Sequence, residues 1–269
     1  MSSSAVSTAT HVAQNGVFER FARAGYVVSG VVHLIIGYLA IGIALGSGGN
    51  ADQSGALAAV AAQRGGLVVL WVAVAALVMM ALWRLAETAL GRSTDPKSQS
   101  PMSEVLDRGK AFALAVVYFA LAYSALGFAR GAGHSTGEQD SGMSSRLMQT
   151  GIGTTALICG AVIVVAVGGY HVYKGGSQNF LNDLKGKPST LVRRLGTAGY
   201  IAKGLAIAGA GILVVVAVIR SEPNKATGLD GALKTLGAQP YGAALLIAAG
   251  LGIVTYGLYS FAMARYAKM

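Results

Sequence analysis

"SGALAAVAAQRGG", Ser54 to Gly66, lies between two long apolar runs, and "DGALKTLGAQPYG", Asp230 to Gly242, lies between two more. Aligned, the two stretches share Gly, Ala, Leu, Ala, Gln and Gly at six of thirteen positions, 176 residues apart. A connection that recurs at such a distance points to a repeated unit rather than a repeated loop. The flanks agree. "GYVVSGVV" at Gly25–Val32 pairs with "GYIAKGLA" at Gly199–Ala206, and "LWRLA" at Leu82–Ala86 with "LYSFA" at Leu258–Ala262. A weaker middle copy sets "AVVYFALAY", Ala115–Tyr123, against "GVVHLIIGY", Gly30–Tyr38, and "LMQTGIG", Leu147–Gly153, against "LGAQPYG", Leu236–Gly242. Tyr170 then falls level with Trp83 and Tyr259.

Each unit is an apolar run, a short connection and a second apolar run. The six runs are approximately Gly25–Leu45, Gly65–Trp83, Ala111–Ala129, Gly151–Val172, Gly196–Ile219 and Tyr241–Ala264. Their lengths approach the roughly 20 residues a helix needs to cross a bilayer. Composition agrees, with 54% hydrophobic and 12% charged residues, against about 25% charged in soluble domains. Backbone groups in lipid must be satisfied within the segment, so the runs are expected to be helices. The fold expected is all-α and membrane-embedded, with six spans arranged as three parallel two-span hairpins and short interfacial helices. Residues 1–16 are expected to be a disordered tail without the features of a signal peptide. The repeats are expected at 17–92, 102–178 and 189–269.

Lys and Arg divide unequally between the two sides. Fourteen fall on the side of the termini and of the connections that join one repeat to the next, and six on the other. Lys203 lies within a span. The basic side belongs in the cytoplasm, so both termini are expected there, in a bacterial plasma membrane. The net charge of +10 is thereby explained by span ends that meet anionic headgroups, and no nucleic-acid partner is expected. All units enter in one direction, unlike the inverted repeats of many transporters.

The connections facing away from the termini are expected to hold short amphipathic helices. Asp230 is expected to cap the third, with Leu233 and Leu236 facing lipid. Asp140 or Ser141 would cap the second, with Met143 and Leu147 on its apolar face. Segments beginning "VFERFARAG", with Phe18 and Phe21, and "STLVRRLG", with Leu191 and Leu195, are expected at the opposite interface.

The repeat pattern resembles a bacterial membrane family, common in actinobacteria, known only as a domain of unknown function. Its members carry three tandem two-helix repeats that open with Gly-Tyr-x-x-x-Gly-Val-Val-Tyr and have a Pro-Tyr-Gly-like turn. The matching residues are Gly25, Tyr26, Gly30, Val31 and Val32, then Gly199, Tyr200 and Gly204, and Pro240, Tyr241 and Gly242. His33 departs from the usual Tyr, and Lys110 and Ala115 replace glycines in the middle copy. The resemblance covers roughly Phe18 to Arg265 and implies the six-span fold. It implies no catalytic residues.

Nucleophile motifs, phosphate loops and metal-ligand clusters are missing, and the single cysteine, Cys159, sits in an apolar run. No enzyme activity, metal or cofactor is expected. His33 and His171 lie at different depths and are not repeat-equivalent, so a haem between them is not expected. Each reads as a histidine hydrogen-bonded to a neighbouring helix. Lys203 reads as a snorkelling lysine, and Arg84 and Glu87 as an i,i+3 pair. "GGYHVYKGG", Gly168–Gly176, gathers Tyr170, His171, Tyr173 and Lys174 into one interfacial turn. Together with Lys203, and with Gly42 and Gly209 from the glycine stripes of the first and fifth spans, these are the candidate contacts for lipid or a partner. The function expected is that of a non-enzymatic accessory or scaffolding subunit on a larger integral membrane complex of transporter or respiratory type. The alternative is a small permease or lipid-handling protein.

Overall fold

A computed structural model describes residues 3–90, 101–186 and 188–268, with side chains from Arg23 onward apart from a few, Glu87 among them. The described chain is helical. Helix α1 runs Ser3–Ala44, α2 Gln53–Ala61, α3 Gly66–Leu90, α4 Pro101–Ala129, α5 Thr136–Leu147, α6 Gly151–Gly176, α7 Thr190–Ile219, α8 Gly228–Gly237 and α9 Gly242–Tyr266. Six stretches are long and apolar enough to cross a bilayer: Arg23–Ala44, Gly66–Ala86, Arg108–Ala129, Gly151–Gly176, Thr190–Ile219 and Gly242–Tyr266. Their apolar side chains stay exposed, as at Val72, Ile163 and Leu205. In water such a surface would be a liability, and in lipid it is the solvent-facing side. Helix α1 already begins at Ser3, so the segment expected as a free tail continues the first span as helix. Phe18 and Phe21 have side chains outside the described residues, as do Ser98 and the rest of 91–100.

The chain forms two compact units. One comprises residues 1–56 and 136–269, the other 57–135, and the boundary falls inside α2. In the smaller unit α3 packs along α4. In the larger one α6 packs along α7, and α9 along α1 and α7. The three most extensive pairs, α3 with α4, α6 with α7 and α9 with α1, each join the second span of one repeat to the first span of another.

Small residues make these contacts possible. A Cβ on Gly37 would sit 2.6 Å from the Gly250 carbonyl oxygen, and one on Gly250 would sit 2.8 Å from that of Gly37. Gly30 and Gly257 face each other in the same way, at 3.0 and 2.9 Å. Between α6 and α7 the same reciprocity holds for Gly168 and Gly204, at 2.7 and 2.6 Å, while Gly211 lies 2.9 Å from the Ala161 carbonyl oxygen. The repeat register puts Gly30, Ala115 and Gly204 at one level of the first spans, and Gly37, Ala122 and Gly211 seven residues on. Ala115, Ala122 and Ala81 are buried, so alanine takes the glycine's place in the smaller unit. Helices in lipid associate through such close packing rather than through a hydrophobic driving force. Gly42 and Gly209 do not carry it. Their nearest neighbours are side-chain atoms, Ser47 Cβ at 3.6 Å and Ala232 Cβ at 3.7 Å, which is ordinary contact.

The repeated connection is explained by the same constraint. Helices α2 and α8 are its two copies. A Cβ on Gly66 would run into the Val60 carbonyl, one on Gly242 into Gly237, and one on the equivalent Gly153 into Leu147. In each repeat the second span therefore starts against the backbone that precedes it, where a side chain has no room.

Gly37→Ala and Gly211→Ala, in detergent-solubilised protein, should each lower the thermal unfolding midpoint, reflecting about 1–3 kcal/mol of overpacking. Gly42→Ala and Gly209→Ala should leave the midpoint unchanged or raise it. Circular dichroism melts of the four variants check this, and equal losses in all four would contradict the assignment of the contact residues.

Candidate functional site

Two clusters of polar side chains lie at opposite ends of the larger unit. The end away from the termini is organised by Asp52, Asp140 and Asp230. Asp52 precedes α2 and its carboxylate accepts from Ser54 Oγ at 2.5 Å and the Gly55 N–H at 2.9 Å, which caps that helix. Asp230 is not a cap. It sits within α8, 5% exposed, accepts the Ala51 N–H at 2.8 Å and pairs with Lys234 at 2.7 Å. Lys234 reaches on to Asn50 Oδ1 at 3.0 Å. The third repeat thus grips the connection of the first, and a residue that looks like a local cap works as a tertiary acceptor. Leu233, expected against lipid, is buried with Ile36, Ala40, Leu246 and Ile253 because α8 lies on the α1–α9 pair. Leu236 and Leu147 are half-buried, and Met143 is exposed. Helix α5 begins at Thr136, so neither Asp140 nor Ser141 caps it. Ser141 Oγ instead donates to the Glu138 carbonyl.

The terminus-bearing end holds an aromatic cluster. Phe180, Leu184, Tyr200, Tyr256, Tyr259, Met263 and Ala267 are buried together, with Tyr26, Val192 and Leu195 packed on them. Phe180 comes from a 3-10 turn at Asn179–Asp183, stacks on Tyr200 at 5.3 Å and meets Tyr259 edge-on at 5.2 Å. Gly196 makes room, since its Cβ would strike the Phe180 ring and come within 2.9 Å of Tyr259. The C-terminus closes over this turn. Lys185 N–H donates to the Tyr266 carbonyl at 2.6 Å, Lys268 N–H to that of Asp183 at 2.8 Å, and Leu184 bridges Ala267. Arg23 Nη1 donates to the carbonyls of Ala264 and Arg265 at 3.0 and 3.1 Å, satisfying the end of α9.

Tyr256 is the junction. Gly199 lets α7 approach its backbone to within 2.5 Å of where a Cβ would stand. On one side the His33 ring lies 4.7 Å away, and on another Lys203 Nζ lies 4.1 Å from the ring centroid. Tyr256 meets Tyr200 edge-on at 5.3 Å, and Tyr200 lies 5.9 Å from His171. Contrary to expectation, neither histidine's Nδ1 bonds to a neighbouring helix; each bonds one turn back in its own, His33 Nδ1 lying 2.7 Å from the Ser29 carbonyl oxygen and His171 Nδ1 2.8 Å from that of Val167. A carbonyl only accepts, so Nδ1 donates in both rings and Nε2 is left as an acceptor in the neutral form. Lys174 pairs with Asp183 at 2.7 Å and lies 5.4 Å from the Tyr200 ring. The structure therefore links His33, His171, Lys174 and Lys203 through a chain of tyrosine rings. The sequence groups His171 with Lys174 in one turn and leaves the tyrosine rings between them and His33 unseen. The overlooked signal is Tyr256 and Tyr259 at i,i+3 in the last span, opposite Tyr200. Tyr170 meets the His171 ring edge-on at 6.1 Å but, like Tyr173, lies outside the buried cluster, the two being 59% and 63% exposed on α6. Arg84 lies in α3, and Thr88 donates to its carbonyl, but the proposed partner side chain of Glu87 is outside the described residues. Among the described residues no group of three or more His, Cys, Asp or Glu is arranged to hold a metal ion.

With three two-span repeats and no strand among the described residues, the fold defines a six-span repeat protein of the membrane. The chain belongs to the family described as Domain of Unknown Function (DUF1206), whose pattern matches three times, at residues 24–91, 109–178 and 198–267. It is 27% identical over 257 residues to "Uncharacterized protein YxxB" of Bacillus subtilis (strain 168), covering 93% of this chain and 92% of that protein. No solved structure matches.

Asp140 provides a pH test of the cluster away from the termini. Burial pushes its carboxyl above the usual aspartate range, and the nearby Asp52 carboxylate adds to the shift. Below about pH 4 the group is protonated folded or unfolded and costs nothing, and the cost appears as pH rises through the raised value. Asp140→Asn should therefore unfold at a higher temperature than the parent at pH 7, and the advantage should vanish by about pH 4. Melting curves across that range check it. A variant less stable at pH 7 would show that the carboxylate is needed in its ionised form.

Proposed function

We propose that the chain is a non-enzymatic protein of the bacterial plasma membrane, acting as an accessory or scaffolding subunit docked on a larger integral membrane complex. The observation that supports this reading is the confinement of polar groups within the larger unit. Its ionisable span residues collect at the terminus-bearing end, around Tyr200 and Tyr256. Beyond them the interior is the apolar packing of Ile36, Ala40, Leu233, Leu246 and Ile253. A permease needs a polar path past that point, and a packed apolar layer of this kind opposes one. Helix α6 offers a docking face of the kind helices use in lipid. Positions Gly169 and Gly176 have open space where a Cβ would stand, beside the exposed Tyr170 and Tyr173.

Affinity purification of the tagged native protein under gentle solubilisation should recover an integral membrane companion at near-stoichiometric yield. Tyr170→Ala with Tyr173→Ala should reduce that recovery while leaving the melting temperature unchanged. Recovery of the chain alone, together with solute flux in reconstituted vesicles that Lys203→Ala abolishes, would favour the permease instead.

The orientation belongs to the same proposal, with the basic side and both termini in the cytoplasm. In a Cys159→Ala background, an impermeant thiol reagent on whole cells should label a cysteine at Asp140 and spare one at Ser98. The reverse pattern would refute it.

A further inference from the structure

The turn that joins α6 to α7 is bracketed by two residues in the left-handed region. Gln178 has φ 58°, a conformation that side chains other than glycine's adopt with strain, and Gly186 has φ 73° with open space around it. Between them Phe180 and Leu184, four residues apart, are 0% and 1% exposed. Asn179, Asn182, Asp183 and Lys185 all face outward. Two apolar anchors therefore hold a segment whose other polar side chains remain at the surface. Phe180 stacks on Tyr200, meets Tyr259 edge-on and fills the space that Gly196 leaves. What it helps to bury is not fully satisfied. Tyr259 is itself fully buried, and its hydroxyl has no hydrogen-bond partner. A buried hydroxyl left unpaired costs free energy that contact with water would recover.

The C-terminus fastens the same segment from outside. Lys185 N–H donates to the Tyr266 carbonyl and Lys268 N–H to that of Asp183, on either side of the Leu184–Ala267 bridge. Ala267 is buried there. The bonds from Leu181 N–H to Gln178 and from Leu184 N–H to Leu181 lie inside the turn and can travel with it. Lys174 holds Asp183 from α6, but Asp183 is 54% exposed, so solvent screens that pair.

We infer that residues 179–185 form a hinged lid over the buried tyrosines, fastened by residues 266–268, and that the lid opens while the spans stay folded. Gln178 and Gly186 are its hinges, because residues at the ends of an element absorb the backbone rotation of such motions. Opening withdraws Phe180 and Leu184 and admits water to the Tyr200 and Tyr259 hydroxyls. Closing buries the two anchors and restores the Lys174–Asp183 pair, against the cost of the unpaired Tyr259 hydroxyl. The lid requires neither a partner complex nor the docking face on α6, so it stands or falls separately from the docking proposal.

The test is amide hydrogen exchange of the purified full-length protein, read by mass spectrometry on peptides covering the turn, the C-terminus and the middle of α7. In the wild type the turn and the C-terminus should exchange together, and faster than α7. Deleting residues 267–269 should speed exchange of the turn about tenfold, the effect of losing the bridge and the Lys268 bond. Ala267→Asp, which keeps the chain length but sets a charge at a buried position, should act in the same direction. Lys174→Met should speed it about threefold. Tyr259→Phe should slow it about fivefold, because it removes the unpaired hydroxyl from the closed state and keeps the ring. Lys225→Met, which breaks an exposed pair elsewhere, should behave as wild type. Exchange of α7 in every variant separates lid opening from loss of fold. A wild-type turn that exchanges only as fast as α7 overturns the inference, since it then opens only with the spans. So does a turn indifferent to the C-terminal changes, or one that Tyr259→Phe fails to slow.

Discussion

Everything in this structure depends on how closely two helix backbones can approach. Lipid gives no hydrophobic reward for bringing apolar helices together, so the pairs α9 with α1 and α6 with α7 must gain from dispersion contacts at short range. Gly30, Gly37, Gly250 and Gly257 on one pair, and Gly168, Gly204 and Gly211 on the other, supply that range by having no side chain to hold the carbonyls apart. The seven-residue spacing within each helix keeps these positions on one face over two turns. Once the approach is fixed, α8 can lie across the α1–α9 pair and Asp230 can reach the Ala51 N–H. At the other end, Gly196 and Gly199 face away from the α6 contact and admit Phe180, Tyr256 and Tyr259.

The repeat gains a physical meaning from this. A two-span unit is the element that recurs in sequence, but the three most extensive contacts run between repeats, while inside the third repeat α9 also packs along α7. Each first span carries small residues at two equivalent levels: Gly30 and Gly37, Ala115 and Ala122, Gly204 and Gly211. Valine recurs opposite the second of these levels, at Val78, Val165 and Val254. In the first and third repeats Gly-Tyr-x-x-x-Gly is therefore a packing signature whose last glycine, Gly30 or Gly204, is a contact point. Its tyrosine has a second use, because Tyr26 and Tyr200 both join the aromatic cluster.

Much of the fold was legible in the sequence. Apolar length sets the spans, and the recurrence at 176 residues sets the repeats. Gly37, Gly204 and Gly211 were visible as small-residue stripes, but Gly42 and Gly209 share those stripes, and periodicity alone cannot say which face meets a neighbour. Asp230 reads locally as a helix cap, and only the tertiary approach of Ala51 shows what it accepts. Of the candidate site, Lys203 and His33 were visible as separate costly groups in apolar runs, and His171 with Lys174 as parts of one interfacial turn. Their connection was not, because it passes through Tyr200 and Tyr256, whose ring contacts link helices that are distant in the chain.

Disulfide trapping tests most directly whether repeats are joined second span to first by equivalent small-residue contacts. In a Cys159→Ala background, cysteine pairs would be placed at Gly37 with Val254, Val165 with Gly211, and Val78 with Ala122. The first two positions place a Cβ 2.6 and 2.8 Å from the valine Cγ2, and the third is their equivalent by repeat register. Each pair should close efficiently under mild oxidation, read on non-reducing gels after cleavage at a protease site inserted between the two cysteines. The within-repeat pair at Gly211 with Val254 should stay open. Closure of that pair with failure of the other three would contradict the account.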